Sequence, residues 1–184
     1  MFVVMIFAKL RWALLLAICS LLMGGKAQAE STEAELKAAF VYGFTKYVEW
    51  PAETLQASPE SFELCLLGDR NAFFEALSDL KGKSVKNRPL RVREVSHADN
   101  FKSCQILVLT DNEAGHFESV LRRLSGMPLL TVNGSSRFLQ AGGVISLVSE
   151  DNKMRFDINL AAAQKNKLVL SSNLLKLARR VLQP

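Results

Sequence analysis

Phe62-Glu63-Leu64-Cys65-Leu66-Leu67-Gly68-Asp69 is the stretch that decides the fold. Apolar residues stand on both parities between Phe62 and Leu67, so a strand made from them needs cover on both faces. That is the environment of a central strand in an α/β sheet. Gly68 stops the strand, and a helix is expected from Asn71 to Leu80, with Phe73, Phe74 and Leu77 facing inward and Gly82 marking its end. Cys104–Thr110 is a second run of the same kind, followed by an expected helix over Glu113–Leu124 that stops at Gly126. Leu66-Leu67-Gly68-Asp69, then Phe74-Glu75, Leu77, Leu80 and Gly82, is echoed by Val108-Leu109-Thr110-Asp111, then Phe117-Glu118, Leu121, Leu124 and Gly126. A repeated strand–turn–helix plan argues for parallel strands joined by right-handed crossovers.

Working outward, Leu36, Phe40, Phe44 and Tyr47 recur at helical spacing and share one face, with Ala39 and Gly43 beside them to permit close packing. Trp50-Pro51 ends that helix, because the residue before a proline disfavours helical dihedrals. Residues 52–60 then read as a polar loop. Pro89–Val95 alternates as an edge or near-edge strand, and Pro128–Val132 is a third buried one. One helical turn is expected at Ser136–Gln140. Val144–Ser149 and Met154–Ile158 form an antiparallel hairpin. Asn159 caps a short helix over Leu160–Gln164, and Leu168–Leu170 is a last short strand. Ser171-Ser172-Asn173 caps a closing helix with Leu174, Leu177, Ala178 and Val181 as its core stripe. The fold class is α/β: a single domain over residues 30–184, with a mixed, mostly parallel sheet flanked by helices on both faces in a Rossmann-like three-layer arrangement.

Residues 1–29 stand apart. Lys9 and Arg11 give a positive start, Trp12 to Met23 an apolar core, and Ala27-Gln28-Ala29 a small-x-small cleavage pattern, so a secretory signal peptide cut after Ala29 is expected. An uncleaved anchor would need a span of ~20 apolar residues, longer than this core. Bulky Ile18 argues against a lipoprotein site at Cys19. The segment carries Lys9, Arg11 and Lys26 and no acid, so removing it lowers the formal net charge of +5 to +2. Most of the basicity therefore belongs to the export signal, and nothing points to nucleic acid. Arg122-Arg123 and Arg179-Arg180 read as solvated helix faces. The expected product is an exported, periplasmic domain.

The chemistry-bearing residues are sparse. His97, in a polar turn, and His116, at a helix start, have no partner at zinc-ligand spacing and read as surface histidines. No G-x-S-x-G elbow, P-loop or G-x-G-x-x-G follows any strand. Asp69 and Asp111 read as helix caps that would oppose an anion at the turns after the two apolar strands. Neither catalytic residues nor a cofactor site is expected. Cys65 and Cys104 fall in runs that become neighbours in a doubly wound order such as 2-1-3, about 4.8 Å apart. In an oxidising compartment they can form a structural disulfide closing a loop of about 40 residues; the other reading is two buried free thiols.

Ala39-Phe40-Val41-Tyr42-Gly43-Phe44 through Tyr47-Val48-Glu49-Trp50-Pro51, then Leu64-Cys65-Leu66-Leu67-Gly68, Cys104-Gln105-Ile106-Leu107, Leu130-Thr131-Val132, Gly142-Gly143-Val144-Ile145, Phe156-Asp157-Ile158-Asn159-Leu160 and Leu174-Leu175-Lys176-Leu177-Ala178 follow one another in a familiar order. Over nearly all of the chain after residue 29, this set resembles the YfiR family of periplasmic proteins. The resemblance implies a non-enzymatic repressor that binds the periplasmic sensory domain of a membrane-bound, YfiN-like diguanylate cyclase. It also implies an outer-membrane, YfiB-like partner, homodimers, a helix-flanked sheet, and pairing of the cysteines at Cys65 and Cys104. The second cysteine pair of some relatives has no counterpart here. Candidate partner contacts are Tyr47, Glu49 and Trp50 at the end of the first helix, with Ser171 if the two ends meet. Trp50 is either an exposed anchor or a plug beneath the Pro51 loop. The alternative function is binding of a small periplasmic ligand near Gly68 and Thr110.

Overall fold

Strand β2 (Phe62–Leu67) lies inside an eight-stranded sheet, as its two-sided apolar pattern requires. The computed structural model describes residues 32–151 and 153–183, and the expected signal peptide with its cleavage after Ala29 lies outside them. β2 pairs in parallel with β4 (Arg88–Val95) on one side and β5 (Ile106–Leu109) on the other. β6 (Leu130–Asn133) and β7 (Ile145–Glu150) continue the parallel run beyond β5. These five strands follow the doubly wound order in which the second lies outside the first and the rest run the other way. β8 (Lys153–Asn159) returns antiparallel to β7, as the hairpin reading expects.

Alternation along β2 and β5 sends side chains to two separate layers. Leu64, Leu66, Ile106 and Val108 join a core with Ala38 and Val41 of α1 (residues 32–44) and with Phe74 and Leu77 of α3 (Ala72–Ser78). Cys65, Leu67, Leu107 and Leu109 face Phe117, Val120 and Leu124 of α4 (Phe117–Leu124) and Phe138 of α5 (Ser136–Gln140). The three-layer α/β fold is therefore the observed one.

Local chemistry explains the turns. Gly68 has φ +116°, and a Cβ there would fall 1.8 Å from Thr110 Oγ1, so the strand-to-helix turn excludes any side chain. Asp69 is not the cap: Asn71 Oδ1 accepts from the Phe74 amide at 2.9 Å and caps α3. Asp111 is not a cap either. It lies inside a 3-10 turn over Asp111–Gly115 and accepts from Asn133 Nδ2 at 3.2 Å. Asn159 does cap α6 (Leu160–Lys165), accepting from the Ala162 amide at 2.9 Å.

Three stretches depart from the sequence reading. Residues 52–60 contain a short helix, α2 (Ala52–Gln56), with Pro51 at its N-cap, where a proline's fixed φ and missing N–H are harmless. Ser84–Val85 forms β3, an antiparallel edge strand on β4. The closing helix, α7 (Ser172–Leu177), stops early, and Arg180–Leu182 extends as β10, parallel to β8. The cause of the last is Asp157, fully buried on β8. Arg179 grips it with two hydrogen bonds, Nε to Oδ1 at 2.9 Å and Nη2 to Oδ2 at 2.7 Å, and Arg180 Nη2 adds a third at 3.0 Å. These arginines are thus not a solvated helix face. A buried carboxylate needs such donors, and the long side chains of Arg179, just before β10, and Arg180, at its start, both reach it.

Cys65 and Cys104 are joined, with 5.8 Å between their Cα atoms and 39 residues between them in sequence. The Arg93 guanidinium lies 3.6 Å from both sulfurs and covers the bond. Replacing both cysteines by alanine is expected to lower unfolding free energy by about 4 kcal/mol, read by denaturant titration, on the loop-entropy account. The hydrogen bonds from Arg179, and then the charges of both arginines, hold the Asp157 carboxyl below its ordinary range. The folded state therefore gains stability from Asp157 above roughly pH 4 and loses it as pH falls through the depressed value. Asp157→Asn is expected to cost about 3 kcal/mol at neutral pH, the lower end for a broken buried pair, because both guanidiniums reach water. Its stability should also fall less than that of the parent chain on acidification.

Candidate interaction surface

Helix α1 is apolar around most of its circumference, and the fold divides that circumference into two stripes. Ala34, Ala38, Val41 and Phe44 are buried. Small side chains at 34 and 38 let the helix approach its neighbours closely. Of the four residues expected on one face, only Phe44 belongs to the core; Leu36 and Tyr47 remain 42% and 36% exposed, and Phe40 is half-buried. The helix thus leaves Leu36 and part of Phe40 turned outward, which a helix that serves only its own core would not do.

The outward stripe forms one wall of a groove of about 300 Å³. Its other wall is Leu174 and Leu177 of α7, and its floor includes Phe156 of β8. Phe156 holds Phe40 and Phe44 edge-on, with ring centroids 6.1 and 5.2 Å away. Leu177, expected in the core, is 61% exposed at the rim. Gly43 lies in the wall with nothing within 4 Å of a Cβ built upon it, so the groove is open at that point.

Two segments distant in sequence meet beside this groove. β1 (Val48–Glu49) pairs antiparallel with β9 (Val169–Leu170), and the Ser171 amide donates to the Tyr47 carbonyl at 2.9 Å. Tyr47, Glu49 and Ser171 are therefore brought together from opposite ends of the sequence. Ser171 is half-buried, and its hydroxyl accepts from the Leu174 amide at 3.2 Å, capping α7. Trp50 does not join the surface. It is 6% exposed, stands edge-on to Phe62 at 5.1 Å, and donates its indole N–H to the Gln105 carbonyl at 3.0 Å. Of its two sequence readings, plug and anchor, the geometry is that of the plug.

A second concavity, of about 260 Å³, lies at the carboxyl ends of the parallel strands, where the sheet order reverses. Asn71, Thr110, Asp111 and Gly134 line it, and Lys37, paired with Glu33 at 2.8 Å, stands at its edge. This is the place where α/β sheets usually bind ligands. No described helix is long and apolar enough to cross a membrane. Trp50→Ala is expected to cost about 3–5 kcal/mol of stability. Trp50→Phe should cost about 1 kcal/mol, the value of one hydrogen bond. Tyr47→Ala should change stability by no more than about 0.5 kcal/mol. Thermal or denaturant unfolding of the three variants separates plug from surface.

Residues 34–179 match the model of the family described as YfiR/HmsC-like, a span running from the first buried alanine of α1 to the arginine that clamps Asp157. Proteins of that family are periplasmic, and they act as regulators connected with diguanylate cyclases rather than as enzymes. The match covers both cysteines, the outward stripe of α1 and the β1–β9 ribbon. The chain belongs to the YfiR/HmsC-like family.

Proposed function

We propose that this protein binds the periplasmic sensory domain of an inner-membrane diguanylate cyclase and holds it in its inactive conformation, repressing cyclic di-GMP synthesis. Family membership gives the class of partner, and the observation that carries the reading is the apolar groove between α1 and α7. Bulky apolar side chains left unpaired along a helix are what a partner helix or strand buries in a groove. A binder without catalytic groups changes a cyclase only through preference for one of its conformations. The contact is assigned to Tyr47 and the neighbouring Leu36 and Leu177, with Glu49 and Ser171 on the polar rim. Trp50, buried against Phe62, is not among the contacts. Sequestration by an outer-membrane, YfiB-like lipoprotein would release the cyclase, and self-association into a homodimer belongs to the same reading. Export after cleavage at Ala29 would deliver the domain to that compartment.

Small-ligand binding in the crevice near Gly68 and Thr110 is the second reading, favoured by the position of that crevice at the sheet's reversal point. Cellular cyclic di-GMP, measured with and without the protein, together with capture of a cyclase sensory domain from membranes, tests the first. Deletion should raise the nucleotide. Leu177→Glu and Tyr47→Glu should fold normally yet lose about 2 kcal/mol of binding, roughly 30-fold in affinity. An unchanged nucleotide level with no cyclase captured would sink the proposal. Groove variants that dissociate a homodimer yet still repress would make the groove a seam between two copies.

A further inference from the structure

The loop after β4 and the turn after β5 leave the sheet on either side of β2, and between them they assemble a cluster that sequence spacing hides. His97 lies two residues beyond β4, while Glu113 and His116 sit in and just after the 3-10 turn. His97 Nε2 is 2.8 Å from Glu113 Oε2, and His116 Nδ1 is 3.6 Å from the same oxygen. The two imidazoles stand 5.3 Å apart, and all three donor atoms fall within 4.8 Å of one another. Both histidines are exposed, as their reading as surface residues expects, and the fold brings them to one carboxylate.

Glu113 is the telling member. It is 7% exposed, and its Oε2 is buried without a hydrogen bond although it points at both imidazoles. A carboxylate oxygen withdrawn from water and given no aligned donor is expensive unless a cation meets it. Hydrogen bonds also tie down the backbone around the two histidines. Asp99 Oδ2 accepts from the Ser96 amide at 2.6 Å and from its hydroxyl at 3.0 Å, fixing the turn that carries His97. Arg123 donates to the His97 carbonyl while its guanidinium lies 4.8 Å over the Phe101 ring. The Ser119 hydroxyl donates to the His116 carbonyl at 2.9 Å.

We propose that His97 Nε2, His116 Nδ1 and Glu113 Oε2 form a binding site for a divalent transition-metal ion of the zinc class. Two imidazoles and one carboxylate suit zinc and its neighbours, whereas calcium and magnesium prefer all-oxygen shells. Three protein donors leave a coordination position open to water. Bound there, the ion cross-links the β4 and β5 loops. None of the three residues lines the groove, so this site stands or fails independently of the proposed repression.

The test uses tag-free purified protein, stripped with a chelator and dialysed against a zinc salt, with bound metal counted by elemental analysis. One zinc per chain is expected, with a rise in melting temperature that EDTA reverses. His97→Ala and His116→Ala each should weaken binding by at least the ~10-fold that loss of even a supporting partner costs at a metal site. Glu113→Gln should weaken it too. If that buried substitution prevents folding, the two exposed histidines carry the test alone. No stoichiometric zinc on the parent protein, leaving a bare imidazole–carboxylate pair, overturns the proposal. So does zinc binding that survives in both histidine variants.

Discussion

A strand that is apolar on both faces must be roofed twice, and β2 with its neighbour β5 imposes that requirement on the whole chain. Every residue from Leu64 to Leu67 is nearly inaccessible, with alternate side chains entering separate cores above and below the sheet. The burial of several such side chains, each contributing about 1.5–3 kcal/mol, leaves the helices little choice of side. The same centre is where the chain reverses direction across the sheet. Cys65 and Cys104 join the two strands beside that reversal, so the covalent tie reinforces the pairing on which both layers rest.

Order at the centre contrasts with openness at one margin. β10 closes the sheet beyond β8 through the Asp157 clamp, and short β3 protects the opposite edge. Short edge strands limit uncontrolled pairing with other chains. The outer side of α1 has no such protection. Ala34, Ala38, Val41 and Phe44 pack inward, Leu36 and Phe40 line the groove, and α7 supplies the second wall. Leu36 and Leu177 remain largely exposed there, apolar area that the isolated chain leaves uncovered. The groove and the crevice at the strand ends are built from different residues, so a change in one leaves the lining of the other intact.

Much of the architecture is legible in local signals. β2 falls where its apolar run predicts, α5 occupies Ser136–Gln140 as expected, and Asn159 and Ser171 cap the helices that follow them. The near-edge position of the alternating β4 and the antiparallel β7–β8 hairpin follow from period-two patterns. α1 is harder: helical spacing puts Leu36, Phe40, Phe44 and Tyr47 on one face, yet of these only Phe44 lies in the core. The breadth of its apolar arc is the signal that both sides seek cover. Trp50 was ambiguous for a similar reason: a tryptophan before a proline fits a plug and an anchor equally until the Gln105 carbonyl is seen to receive its N–H.

By itself, then, the sequence determined the central strands, their parallel order, the caps at Asn159 and Ser171 and the neighbourhood of the two cysteines, because each depends on residues close in the chain or on burial that a short pattern reveals. Tertiary structure alone decided the rest. β10 exists because a buried carboxylate far upstream draws Arg179 and Arg180 to it. β1 finds β9, and Tyr47 meets Ser171, only when the ends of the domain come together. His97 comes to face Glu113 and His116 because β4 and β5 flank the same strand. These contacts join residues whose separation in sequence carries no period and no motif, so only the packed sheet brings them within reach.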